Sequence, residues 1–74
     1  MNEVYKQLIS SLSDEEQSIL TEAQLGWIQL RDKTCEFEVY KNRGGTGYGG
    51  FLSECLDRLT KQRTAELEQY LKQR

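Results

Sequence analysis

The chain has 74 residues, 36% of them apolar and 30% charged, with a net charge of -2. A length of this order makes one domain, here expected over residues 1–74, with a core so small that a covalent staple, a metal or a partner usually has to support it. Basic residues are interleaved with acids and the pI is near 5.1, which is not the footprint of a nucleic-acid binder. No run approaches the roughly 18 apolar residues of a membrane span.

The opening residues, MNEVYKQLIS, lack the basic and apolar regions of a signal peptide. Apolar positions recur at helical spacing from Asn2 to about Leu12, with Val4, Tyr5, Leu8, Ile9 and Leu12 on one stripe. Ser13 followed by Glu16 reads as a capping box, and Asp14, Glu15 and Glu16 suit the positive end of a helix dipole, so a second helix starts there.

That second helix is expected to run from Asp14 to Glu36 or slightly further, with Ile19, Leu20, Ala23, Trp27 and Leu30 on its inner face. An indole in the middle of such a stripe is more often core than ligand box, so Trp27 is expected at the centre of the core, between the first and third helices. Gly26 costs about 1 kcal/mol relative to alanine in a helix; it is either tolerated or matched to a close neighbour.

EFEVY, residues 36–40, alternates polar and apolar, but nothing else in the chain alternates, so it reads as a helix end entering a loop. GGTGYGG, residues 44–50, contains Gly45-x-Gly47-x-x-Gly50, the spacing of a dinucleotide-binding loop. That fingerprint works only within a strand-turn-helix unit of roughly 30 residues, flanked by further strands. The glycines are therefore read as turn formers, with no nucleotide and no other cofactor. A third helix is expected from about Gly50 to Lys72, with Leu52, Cys55, Leu56, Leu59, Leu67, Tyr70 and Leu71 inward. The fold class is thus all-α: three helices, the two long ones antiparallel and joined by a glycine-rich loop.

Cys35 falls in the last turns of the second helix and Cys55 near the start of the third, so antiparallel packing would set them face to face. A disulfide there would staple the loop and place the protein in an oxidising compartment, periplasmic or secreted. The alternative is two separate buried thiols in a cytosolic protein. With no histidine and only these two cysteines, no metal-ligand spacing is recognisable.

Arg31 and Arg63 interrupt the inner faces of the two long helices, where charges need partners. Gln24, Arg31 and Glu38 repeat every seven residues as a polar line, and Arg31 has Glu38, Asp32 and Asp57 as candidate partners. A network that fixes helix register is the expected role of Arg31 and Arg63, with a ligand-binding arginine as the alternative.

Four elements together resemble a known family. They are Asn2, Tyr5 and Leu8 in the first helix; Ala23, Gln24, Trp27, Arg31, Asp32 and Cys35 in AQLGWIQLRDKTC; the pair Gly44 and Gly45; and Cys55, Leu59, Thr60, Arg63 and Leu67 in CLDRLTKQRTAEL. The chain resembles the lysozyme inhibitor LprI-like N-terminal domain family, small secreted bacterial proteins mostly of unassigned function. Members usually carry a signal peptide and a further cysteine-containing segment before the tyrosine helix. Met1 stands where leucine is usual, which implies a fragment or a short member.

The resemblance implies a helical fold strongly and a function weakly. An enzyme is disfavoured, because no histidine can serve as a base and no catalytic constellation is recognisable. A non-enzymatic envelope or secreted binding module is the leading expectation, and an inhibitor of lysozyme-type cell-wall hydrolases is the alternative. For the inhibitor, Lys41, Arg43 and Tyr48 of the glycine loop are the candidate contacts. The acidic start of the second helix, around Asp14, Glu15 and Glu22, is the other candidate surface. Residues 1–38 hold 8 acidic and 3 basic side chains and residues 39–74 hold 4 and 7, so the halves differ in sign, -5 against +3.

Overall fold

A computed structural model describes residues 1–42, 44–45 and 47–73. Three helices follow one another: α1 (Asn2–Ser10), α2 (Asp14–Glu38) and α3 (Tyr48–Lys72), with a 3-10 turn at Tyr40–Asn42. The described residues contain no strand. The domain measures 46 × 19 × 15 Å, and its long dimension follows from α2 and α3, each 25 residues and so about 37 Å long at 1.5 Å per residue.

The α1–α2 corner is built by local hydrogen bonds. Ser13 and Glu16 form the reciprocal capping box: the Glu16 amide donates to Ser13 Oγ at 3.2 Å, and the Ser13 amide donates to Glu16 Oε1 at 3.1 Å. Gln17, one turn into α2, reaches back and donates to the Ile9 and Leu12 carbonyls at 2.9 and 3.2 Å. The Ile9 carbonyl, in the last turn of α1, also accepts from the Leu12 amide at 3.1 Å, so Gln17 adds a second bond there and ties α2 to the end of α1. Replacing the cap, Ser13→Ala, should cost about 1 kcal/mol, read as a lower urea midpoint with an unchanged m-value.

From that corner α1 runs back along the first half of α2. Tyr5 Oη lies 3.5 Å from Thr21 Oγ1, and Gln24 Nε2 lies 3.6 Å from Met1 Sδ. Both α1 and α2 pack on α3. Partners on α3 recede along α2 as the chain advances: Cys35 meets Cys55, and Gln24 meets Arg63.

The buried apolar residues are few. Leu8 on α1 and Leu67 on α3 are fully enclosed, and Cys35, Val39 and Cys55 form a second centre at the disulfide. Between the two centres sits Arg63, 9% exposed.

The inner face of α2 differs from expectation. Ile19 and Leu30 are exposed, whereas Gln17, Gln24 and Cys35 make the contacts with α1 and α3. Trp27 is half-buried and does not form the centre of the core. Gln24, not Trp27, meets Met1 and Arg63, and the indole borders an open groove with Leu59, Gln62 and Arg63 of α3. Tyr70, expected inward, is exposed as well.

The glycine segment also differs in detail. Gly44 and Gly47 have φ of 79° and 91°, the left-handed region that favours glycine. Gly47 caps α3, and the Phe51 amide donates to its carbonyl at 2.9 Å. The helix therefore begins at Tyr48, and Gly49 and Gly50 lie inside its first turn rather than before it.

Candidate binding surface

The Cys35–Cys55 disulfide joins the end of α2 to the start of α3, with 5.6 Å between the Cα atoms. Its sulfur-bearing residues are shielded from water, and Arg58 adds a lid. One guanidinium nitrogen of Arg58 donates to both oxygens of Glu38, at 2.7 and 2.8 Å, and passes 3.7 Å from Cys55 Sγ. The sequence reading did not single out Arg58. A signal was available: Glu38 and Arg58 each stand three residues after a bridged cysteine, so a long arginine can reach across the bridge.

Of the polar line Gln24, Arg31 and Glu38, each member takes a different partner. Arg63 Nε donates to Gln24 Oε1 at 3.1 Å, and Arg63 Nη1 lies 3.5 Å from a Glu66 carboxylate oxygen. Arg31 pairs with its neighbour Asp32 at 2.8 Å and lies 5.2 Å above the Trp27 ring, a cation–π stack. Glu38 is held by Arg58. Arg31 thus sits beside neither Glu38 nor Asp57 in these contacts. Trp27 and Arg31 of α2 and half-buried Leu59 and Arg63 of α3 line an open groove of about 450 Å³ between the two helices. Arg63 also borders a more apolar groove of about 390 Å³, which Leu8, Ile19, Leu20, Ala23 and Tyr70 share.

The loop candidates separate. Lys41 is exposed in the 3-10 turn. Tyr48 is half-buried as the first residue of α3, in a shallow groove with Asp32, Glu36, Leu52 and Leu56. Arg43 lies outside the described residues. Asp14, Glu15 and Glu22 are exposed along the first half of α2. Around the disulfide end, Phe37, Tyr40 and Phe51 all present aromatic surface to solvent, a feature the sequence reading did not anticipate. No group of three or more metal-ligating side chains occurs among the described residues, and no helix there is long and apolar enough to cross a membrane.

This is a three-helix domain with one disulfide and a sparse core, and its surfaces are built from aromatic residues and paired arginines. The chain belongs to the family described as lysozyme inhibitor LprI, whose model matches residues 1–67. It is also 42% identical over 52 residues to an uncharacterized protein, R02472, of Rhizobium meliloti (strain 1021). That similarity covers 70% of this chain and 37% of the relative, so the matched part spans little more than a third of the relative's length. No solved structure matches the chain.

Proposed function

We propose that this domain is a non-enzymatic protein-binding module of the periplasm or extracellular space. The observation that carries the reading is the disulfide end, where the Cys35–Cys55 bond fixes a short segment bearing exposed Tyr40, Lys41 and Phe51. Aromatic side chains are enriched in protein interfaces, tyrosine among the usual hot spots, and a covalent bond at the base of the segment lowers the ordering cost of binding. A structural disulfide persists in oxidising compartments, which supports the location.

A second reading is favoured by the family description: the partner is a lysozyme-type cell-wall hydrolase. A basic hydrolase with an acidic cleft would be drawn to the acidic half of this chain and would accept the cationic side chains of Lys41 and Arg43, with Tyr48 as a further contact. The test is cell-wall lysis by a basic lysozyme in the presence of the oxidised domain, at low and moderate salt. Inhibition at micromolar domain is expected, stronger at low salt. Lys41→Ala, Arg43→Ala and Tyr48→Ala combined should weaken it by about tenfold or more. No inhibition at any accessible concentration defeats the hydrolase reading. Inhibition untouched by the triple variant moves the contact to Asp14, Glu15 and Glu22.

A further inference from the structure

The more apolar of the two grooves beside Arg63 has different chemistry at its two ends. Leu8, Leu12, Leu20 and Ala23 are among the residues along its walls, Tyr70 also lines it, and its charged lining residues are Arg63 and Glu16. Arg63 meets Gln24, so it stands at the Ala23 end. Glu16, seven residues before Ala23, lies about 10 Å away along α2, and Tyr70 lies about as far from Arg63 along α3. The groove is therefore an apolar strip about 10 Å long with a guanidinium at one end.

That guanidinium is loosely paired. Arg31 and Arg58 hold their carboxylates at 2.8 and 2.7 Å. Arg63 is more deeply buried than either, its side chain 10% exposed, yet the carboxylate oxygen nearest to it among the described residues belongs to exposed Glu66 and lies 3.5 Å from Nη1. A charge-assisted hydrogen bond is shorter, about 2.7 to 2.9 Å. Nε is fixed by the neutral Gln24 oxygen. Nη2 has no hydrogen bond or ion pair among the described residues, where no buried side-chain nitrogen or oxygen is left without a partner. Nη2 is therefore accessible at the groove, on a guanidinium whose orientation is already set.

From this arrangement we infer that the groove binds a medium-chain monocarboxylate, a fatty-acid-like amphiphile whose carboxylate accepts from Arg63 and whose alkyl chain runs along the apolar walls toward Tyr70. A planar guanidinium with an open edge matches a carboxylate. Glu16, bonded to Ser13 in the capping box, is acceptor-only when ionised, so the head group belongs at the Arg63 end. With carbon–carbon bonds of about 1.5 Å, a chain of about eight carbons covers the strip. The groove volume of about 390 Å³ falls within the range of small-molecule sites, roughly 300 to 1,000 Å³. This site is separate from the disulfide end and does not depend on the proposed hydrolase contact.

Titration of the oxidised chain with octanoate below its micelle concentration, followed by nitrogen-15 NMR, tests the inference. Saturable binding is expected, with shifts at Ala23, Tyr70 and the Arg63 Nε–H. Octanol, octylammonium and butyrate should each bind at least about tenfold more weakly. Arg63→Met keeps a long apolar stem and removes the charge. It should weaken octanoate by about tenfold or more and leave octanol within about threefold of its value on the parent. Ala23→Phe, at an exposed position on the groove wall, leaves the buried arginine in place, so it decides the matter if Arg63→Met does not fold. It should weaken octanoate by about tenfold with the far-UV circular dichroism of the parent. No saturable octanoate binding overturns the inference. So does octanoate binding no tighter than octanol or butyrate, or binding untouched by Ala23→Phe.

Discussion

Reducing the Cys35–Cys55 bond should lower the melting temperature by about 12 to 24 °C. The bridge closes a loop across 20 positions, worth about 3 kcal/mol in the chain-entropy model, and each kcal/mol moves the midpoint of a domain this size by about 4 to 8 °C. The apolar core cannot absorb such a loss, because among the described residues only Leu8, Val39 and Leu67 are buried apolar residues apart from the two cysteines. Thermal melts followed by far-UV circular dichroism, with and without reductant, should agree with a Cys35→Ser/Cys55→Ser double variant. A shift of a degree or two would show that the helices hold together without the bridge.

The second large effect is expected at Leu67. It is fully buried on α3, so Leu67→Ala should cost about 2 to 5 kcal/mol, the range for truncating an enclosed leucine. Leu30→Ala, at an exposed position of α2, should stay within about 0.5 kcal/mol. Urea titrations of both variants check the pair. Equal losses would mean that Leu30 is enclosed after all.

The contrast between these two leucines shows what a single sequence conveys. Ser13 and Glu16 were legible because a capping box is closed by residues three apart and needs no tertiary information. Cys35 and Cys55 were legible because their places near two helix ends leave one simple packing that joins them. The inward side of α2 was not. Apolar spacing through Ile19, Ala23, Trp27 and Leu30 defines a face, but which face meets a neighbour is set by contacts between residues far apart in sequence, Gln24 with Arg63 and Cys35 with Cys55. The polar side of α2 therefore meets α3 through Gln24 and Cys35. At the site, Tyr48 looked like a loop residue because two glycines follow it, yet the left-handed Gly47 starts the helix two residues earlier. Arg58 went unnoticed because its role rests on a salt bridge that crosses the disulfide, between residues 20 apart in sequence.

The enclosure of that bridge sets a time scale. Cys35 is wholly shielded and Cys55 nearly so, while thiol–disulfide exchange requires an incoming thiolate to approach a sulfur directly. A reductant therefore has to wait for the junction of α2 and α3 to part, and the Arg58–Glu38 pair has to open with it. The lifetime of the oxidised form is thus governed by the frequency of that local opening, so adding more reductant speeds the reaction only until opening itself becomes the slow step. A brief reducing episode shorter than the interval between openings leaves the latch closed, even where equilibrium would favour the dithiol.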